Sequence, residues 1–247
     1  MKPEKSRIIF GVVLVLLSAL FYFIHYLTFH DPHHLFIFLV GDIAFVFIEV
    51  LLVSMIIHEL LSYREKKSML QKMNMVIGAF FSEVGDYLLR SFSSCDKNAG
   101  TISAELASFN NWSEKEFTAA KDRLGNVEYR PDCTPQDLSD LKTFLVGKRT
   151  FLLNLLQNPN LLEHESFTNL LWAVFHLMEE LDSREDVEAL TTVDMSHIAN
   201  DMRRAYTLLI REWLQYMKHL KGAYPYLFSL AVRTNPFDPD ASPEVTG

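Results

Sequence analysis

Two long apolar stretches, separated by only five residues, restrict what this chain can fold into more than any other feature. Residues 8–29 carry no acidic or basic side chain except His25, and residues 35–61 form the second apolar run. A helix of about 22 residues is roughly 33 Å long, enough to cross the hydrocarbon layer of a bilayer. The linker between the runs reads "HDPHH", which leaves room only for a tight turn. We therefore predict a transmembrane helical hairpin.

The flanking charges predict how this hairpin is oriented. A cleaved signal peptide is the alternative for the first run, but its apolar core would be about 7–15 residues and would precede a small-residue cleavage site. Lys and Arg residues flank the outer ends of both runs, and the linker contains neither. Because cytoplasmic flanks are enriched in Lys and Arg, we expect both termini to be cytoplasmic. The flanking bases are Lys2, Lys5, Arg7, Arg64, Lys66, Lys67 and Lys72.

Two carboxylates interrupt the second apolar run. Asp42 and Glu49 are seven residues apart, so they share one face of a helix. A carboxylate facing lipid costs at least about 2.5–3.5 kcal/mol. Three arrangements avoid that cost: the acids are protonated, they face each other or His25 in a packed bundle, or they line a wet axis between several copies. A two-helix hairpin has no interior that hides two acids, so we predict a homo-oligomer in the lipid bilayer, with Asp42 and Glu49 on a path for cations.

The heptad phase of the acids continues beyond the membrane. No proline occurs between Leu35 and Phe92, which favours one long second helix whose part 63–92 extends into the cytoplasm. An apolar repeat of seven favours self-association through that face, and packing within its own domain is the alternative. The predicted oligomer seam consists of Leu70, Met73, Ile77, Phe80, Val84 and Tyr87.

The linker contains four side chains that bind metals in other proteins. Imidazole and carboxylate groups suit zinc, copper or nickel. Consecutive residues seldom converge on one ion, so a polar cap on the hairpin is the favoured interpretation, and an outward metal site is the weaker one. The candidates are His30, Asp31, His33 and His34.

The rest of the chain reads as a cytoplasmic helical bundle over 93–234, followed by a Pro-rich tail, 235–247, that we expect to be disordered. The tetrapeptides "SEKE" and "TPQD" are typical of helix starts, because each places an N-cap hydroxyl three residues before an acid. Apolar residues at helical spacing predict the helices that follow. Those helices are 135–157, 161–181, 194–221 and 225–232. The fold class is therefore all-α, with the domains 1–62, 63–92, 93–234 and 235–247.

Composition excludes some functions. The net charge of −8 argues against a nucleic-acid binder, which needs a basic face. Cys95 and Cys133 are too few for a disulfide scaffold, and we interpret them as free thiols in a reducing compartment. No phosphate loop, CxxC pair, nucleophile elbow or dinucleotide fingerprint occurs, so we expect neither an enzyme nor a cofactor.

Histidines with nearby acids remain in the bundle. His176 and Glu180 are four residues apart, as are His197 and Asp201, so each pair can meet on one helix face. Helical bundles build metal sites from such residues. The two Glu-x-x-His motifs of a di-iron site are absent, and solvated faces are the favoured interpretation. The other histidines of this kind are His164, near Glu163 and Glu165, and His219, near Glu212.

Three stretches carry a family resemblance: "GDIAFVFIEVLLVSMIIHELLSYREKKSMLQKMNMVIGAFFSEVG", "NPNLLEHESFTNLLWAVFHLMEEL" and "EWLQYMKHLKGAYPYLFSLAVRTNPF". Together they resemble a family of prokaryotic two-span membrane proteins known as hypothetical proteins. The resemblance covers most of the chain after Leu35. It implies the layout of a hairpin followed by cytoplasmic helices, and a location in the cell (inner) membrane of a prokaryote. It implies no activity or site.

These features lead to two expected functions. The first is an ion channel or gated pore in which intramembrane carboxylates on the axis favour cations. The second is a membrane-anchored sensor or scaffold whose cytoplasmic helices bind a protein partner. Flux across a bilayer separates the two.

Overall fold

Helices form all the regular secondary structure of the chain in its computed structural model, wherever its residues are described. The one extended contact there is an antiparallel bridge between Asp96 and Pro131. The all-helical class predicted from the sequence is confirmed. The chain divides into two compact units, Met1–Lys66 and Lys67–Gly247. The described residues are 3–107, 109–125, 127, 129–159, 161 and 164–245.

The first unit holds helix α1 (Pro3–Phe29) and the beginning of helix α2 (Pro32–Phe80). Two stretches are long and apolar enough to cross a membrane, Ile9–Phe29 and a window within Pro32–Ser94, and neither window is buried within the chain. Length and apolar composition alone are weak evidence for a span, because core helices and signal sequences share them. The predicted basic flank includes Lys2, which lies outside the described residues.

Helical structure continues beyond α2 with a change of pitch. A π-helical turn, Phe81–Gly85, follows α2, and α3 follows directly as Asp86–Ser94. A π turn adds a residue to the helical turn and shifts the face that the following residues present. The later helices are α4 (Ala99–Leu106), α5 (Glu114–Leu124), α6 (Pro135–Gly147), α7 (Arg149–Leu156), α8 (Glu165–Asp182), α9 (Thr192–Ala223) and α10 (Pro225–Arg233), with a 3-10 turn at Phe109–Asn111.

The core of the second unit forms around α9. This helix packs against α8, α5, α10 and α3, while α8 also packs against α6 and α7. Aromatic side chains fill the centre, because Trp213 and Phe109 meet edge to face at 5.1 Å and Phe80 meets Phe167 at 5.3 Å. All four rings are 1% exposed or less. Burial of such large side chains stabilises the bundle by roughly 1.5–3 kcal/mol each.

Two helices of this unit start with the capping boxes read from the sequence. Ser113 caps α5 with Glu116, and Thr134 caps α6 with Asp137; in each box both reciprocal hydrogen bonds are present. Pro135 occupies the first turn of α6, where a missing N–H costs nothing. These local signals therefore set the two helix starts.

Three details of the bundle differ from the sequence prediction. The helix predicted over 135–157 is two helices, because it breaks between Gly147 and Arg149, where glycine is a poor helix former. The helix predicted to begin at Leu161 begins at Glu165, after an N-cap made by the His164 ring. The tail predicted to be disordered contributes two buried side chains near its start. These are Asn235 and Phe237, each 2% exposed.

The two cysteines also differ from the prediction. Cys95 and Cys133 form a disulfide, with their Cα atoms 4.8 Å apart, so the interpretation as free thiols is wrong. The bridge joins the end of α3 to the segment before α6. Two backbone hydrogen bonds accompany it, from Asp132 N–H to the Cys95 carbonyl and from Lys97 N–H to the Arg130 carbonyl.

Candidate functional site

Asp42 lies beside a cavity of the hairpin that is lined by apolar as well as polar side chains. The Tyr22 hydroxyl donates a hydrogen bond to the Asp42 carboxylate at 3.4 Å. The cavity, of about 760 Å³, is also lined by Ser18, His25 and Thr28. His25 Nδ1 is buried and has no hydrogen-bond partner among the described residues. Polar side chains of α1 and the Asp42 carboxylate of α2 thus line the same cavity.

Glu49 is placed differently. It is exposed in the single chain, like its apolar neighbours on α2. In the described part of the chain no hydrogen bond or ion pair involves Glu49. Among the described residues no hydrogen bond or ion pair joins the two acids, and the hydrogen bond of Asp42 is with Tyr22.

The linker residues cap α2. The Asp31 carboxylate accepts hydrogen bonds from the backbone N–H groups of His33, at 3.0 Å, and His34, at 3.3 Å. The His34 ring contacts the second carboxylate oxygen at 2.9 Å. These hydrogen bonds, the backbone N–H of His34 foremost, lower the pKa of Asp31. His30 adopts a left-handed conformation with φ of 49°, which turns the chain between the helices. This geometry is that of the polar cap favoured by the sequence.

The predicted oligomer seam is mostly part of the core. Of its six residues only Leu70 and Tyr87 are exposed, and the Tyr87 ring stacks on Phe144 at 3.7 Å. The other four are covered by their own domain and are not available to a neighbouring chain, which corrects the interpretation of this stripe as a subunit seam. The buried members are Met73, Ile77, Phe80 and Val84.

The structure brings two histidine–acid pairs of the bundle together. His176 and Glu180 lie on α8, and His197 and Asp201 lie on α9, which packs beside it. His176 Nε2 is 3.8 Å from Glu180 and 3.6 Å from Asp201. His197 Nε2 is 3.4 Å from both carboxylates. Each pair was visible in the sequence as an i, i+4 spacing, whereas their meeting across two helices was not.

Charged groups surround this four-residue cluster. Arg184 donates from Nη1 to Glu180 at 2.8 Å and from Nη2 to Asp194 at 3.3 Å. Its hydrogen bond and charge lower the pKa of Glu180. Arg204 approaches the other oxygen of Asp201 at 3.8 Å. The Asp201 side chain is only 4% exposed, while both histidines are close to half exposed, so the cluster is open to solvent at one end.

A half-buried acid, Asp86, lies just after the π turn. Asp86 lines a cavity of about 200 Å³ together with Gly78, Trp213 and Tyr216. Burial raises the pKa of Asp86 to about 6, and the opposing charge of Arg90 lowers it less. Burial also raises the pKa of Tyr216, and the charge of Asp86 adds to that rise. Sequence reasoning missed Asp86, because its neighbours in the cavity come from α9 and α10, which are distant in sequence. The π turn just before Asp86 is a feature that often marks functional sites, but it is seen only in the structure.

Two family models of known proteins match this chain, one in its N-terminal part and one in its C-terminal part. Residues 2–61 match the family model described as "MJ1433, N-terminal helical domain". Residues 69–233 match "Uncharacterized protein MJ1433, C-terminal helical domain". The protein is thus an all-helical protein with an N-terminal and a C-terminal helical domain.

The chain belongs to the MJ1433 family. The protein "Uncharacterized protein MJ1433" of Methanocaldococcus jannaschii is 46% identical to it over 238 residues, which is 96% of each chain. No solved structure matches this chain. The comparisons support the helical nature of both domains and assign no role to any residue.

Proposed function

We propose that the protein is a homo-oligomeric integral membrane protein that conducts cations along an axis lined by Glu49. The observation that carries this proposal is the position of Glu49, exposed and unpartnered among the described residues of a single chain. It lies about 21 Å along the second apolar run, at 1.5 Å per residue. A carboxylate at that depth needs shelter from lipid, and neighbouring copies of the chain supply it.

Asp42 has a secondary part in this proposal. Its hydrogen bond from Tyr22 satisfies one carboxylate oxygen within the hairpin. The cavity beside it is partly polar, and its lining includes oxygen atoms of Asp42, Thr28 and Ser18 that can solvate a cation. Rings of carboxylates favour cations over anions.

The exposed surface of the hairpin supports the membrane setting. Most large apolar side chains from Ile9 to Leu61 are about half exposed or more. An apolar surface of that extent is covered by lipid or by other protein chains. Both ends of the hairpin lie on the cytoplasmic side in this proposal, because Lys and Arg flank the outer ends and not the linker.

Cation flux into liposomes tests the proposal. Purified full-length protein is reconstituted, and uptake of K⁺ or Na⁺ is followed. We expect Glu49→Gln to reduce flux at least about tenfold, because a neutral amide attracts a cation far less than a carboxylate. Glu65→Gln is the matched control, since Glu65 follows the apolar run and is exposed. It should leave flux within about twofold.

Two results would contradict the proposal. Flux that is unchanged in the double variant Asp42→Asn, Glu49→Gln removes the acids from the path. No flux with wild-type protein removes conduction altogether and favours the second candidate, an anchored scaffold that binds a protein partner. Trp172, on α8 and 56% exposed, favours that candidate, because exposed tryptophan is enriched at protein interfaces.

A further inference from the structure

The cluster of His176, Glu180, His197 and Asp201 presents four donor groups between α8 and α9. The imidazole nitrogens stand 3.4–3.8 Å from the carboxylate oxygens of both acids. These separations are longer than the usual 2.7–3.2 Å of a hydrogen bond. Donors bound to one tetrahedral zinc ion at about 2.0–2.1 Å lie about 3.3–3.4 Å from each other, which is close to the spacing in this cluster.

Hydrogen bonding alone does not satisfy the four groups. The Nε2 atom of His176, like that of His197, faces two carboxylate oxygens, but a ring nitrogen carries one hydrogen at most. The Asp201 oxygen that faces both rings is buried and has no hydrogen-bond partner among the described residues. A buried carboxylate oxygen without a partner is unfavourable, and a cation between it and the rings removes that cost.

From this geometry we propose that His176, Glu180, His197 and Asp201 bind a divalent transition metal ion, with zinc as the best fit. Two imidazoles and two carboxylates form a nitrogen and oxygen ligand set that suits zinc and its first-row neighbours. The buried Asp201 carboxylate lies at the inner end of the site. The half-exposed rings of His176 and His197 lie at its outer end, where an ion can enter from solvent.

Arg184 closes this site when no ion is bound. As they stand, no three His, Cys, Asp or Glu side chains in the described ranges are arranged to hold an ion. Glu180 is held by Arg184, whose guanidinium supplies the positive charge that a metal would bring. The Glu180 oxygen that Arg184 holds is the one that lies 3.4 Å from His197 Nε2, so metal binding requires Glu180 to exchange Arg184 for the ion. Arg184 keeps a second acidic partner, Asp194, at 3.3 Å.

The ion would link two helices that are adjacent in the chain and joined by residues 183–191. Each helix contributes one His and one acid, so metal binding fastens α8 to α9 near the surface. This role is independent of conduction through the hairpin, because all four ligands belong to the second unit.

Zinc binding to the full-length protein tests the inference. Detergent-solubilised protein is stripped with a chelator and titrated with Zn²⁺, and the affinity is measured by competition with a chromophoric chelator. We expect one ion per chain, and we expect His176→Gln combined with His197→Gln to weaken binding at least roughly tenfold. Because both rings are about half exposed, this variant should keep its helical circular dichroism. Substitution with Co²⁺ should give the visible spectrum of a tetrahedral site in wild type only.

Two controls distinguish this site from other donors. Glu179→Gln changes an exposed acid next to Glu180 that pairs with Arg149, and it should leave the affinity unchanged. His33→Gln combined with His34→Gln removes two rings from the hairpin linker and should also leave it unchanged. Loss of binding in the linker variant, equal binding in the His176 and His197 variant, or no stoichiometric zinc in wild type would each overturn the inference.

Arg184→Gln tests the closing role of the arginine. Removal of the competing charge should tighten zinc binding several-fold. A weaker affinity in this variant would show that Arg184 supports Glu180 as a ligand and would overturn the competition between arginine and metal.

Discussion

Burial of a single carboxyl group gives the second unit a specific dependence on pH. The pKa of Asp86 rises from 3.8 to about 6, mainly because the group is removed from water. The charge of Arg90 offsets this rise only in part. Its guanidinium donates to the Thr234 carbonyl at 2.6 Å. Between these two pKa values the folded chain binds more protons than the unfolded chain. The contribution of Asp86 is therefore fully present below about pH 4 and is lost as pH rises through 6.

Asp86→Asn should stabilise the protein at neutral pH. The ionised group is unfavourable by up to about 3 kcal/mol at pH 7, from a pKa rise of roughly two units at 1.36 kcal/mol each. We expect the gain to be near zero at pH 4 and to approach this value at pH 7. Guanidinium unfolding followed by fluorescence of the buried Trp213 measures it.

The control for this prediction is Asp140→Asn, at an exposed acid of α6 that accepts a hydrogen bond from Gln136. It should change the free energy of unfolding little at either pH. A gain for Asp86→Asn that is equal at pH 4 and pH 7 would contradict the assigned pKa, because only ionisation makes the effect depend on pH.

Side-chain pairing was predictable within one helix and unpredictable between helices. The spacing of His176 and Glu180 places both on one face of a helix, and the structure has them 3.8 Å apart. Whether that face meets the one carrying His197 and Asp201 depends on how α8 is rotated against α9. Local sequence contains no information on that rotation, because it results from the packing of the entire core.

The starts of α5 and α6 were predicted correctly from short sequence patterns. At α6 the Thr134 hydroxyl accepts from the Asp137 N–H at 3.2 Å, and the Asp137 carboxylate accepts from the Thr134 N–H at 2.8 Å. These contacts satisfy backbone donors that a helix end otherwise leaves open. They involve residues only three apart, which is why a short sequence pattern identifies them.

Thr134→Ala should destabilise the bundle by about 0.5–2 kcal/mol, because it removes the N-cap acceptor of α6. Thr134→Ser keeps the hydroxyl and should recover most of the loss. Chemical unfolding of both variants at pH 7 measures the difference. Equal stabilities for Ala and Ser at this position would show that the cap contributes nothing.

The break between α6 and α7 shows where helical pattern was misleading. Apolar spacing runs through both helices, so the sequence predicted one helix over 135–157. Lys148, between them, lies near φ −97° and ψ 3°, and its ammonium group pairs with Glu83 at 2.7 Å. Because glycine is a poor helix former, ending α6 at Gly147 costs little free energy. The contact with Glu83 is distant in sequence, so no local pattern predicts it.

The disulfide constrains the second unit as a whole. Cys95 and Cys133 are 38 residues apart, and a closed loop of that length removes conformational entropy worth roughly 4 kcal/mol from the unfolded chain. Disulfides persist in oxidising compartments and in intracellular proteins of hyperthermophiles, and they are rare in other cytosols. We therefore expect a protein with this bridge in an oxidising compartment or in the cytoplasm of a hyperthermophile.

Reduction should lower the thermal unfolding midpoint of the wild-type protein markedly. The variant Cys95→Ser combined with Cys133→Ser should start at that lower midpoint and should not respond to reductant. Thermal scans with and without dithiothreitol measure both effects. Two titratable thiols in denatured, unreduced wild-type protein would show that the bridge is not formed.

The apolar runs, the caps and the spacing of histidines and acids depend on neighbours only a few residues away, and the sequence by itself therefore determined an all-helical chain with its polar positions marked. Tertiary structure decided the rest. It placed Met73 and Phe80 in a core instead of a subunit seam, joined Cys95 to Cys133, and brought Asp201 between two imidazole rings. The physical reason is that close packing selects one rotation for each helix, and that choice depends on all the side chains of the core at once.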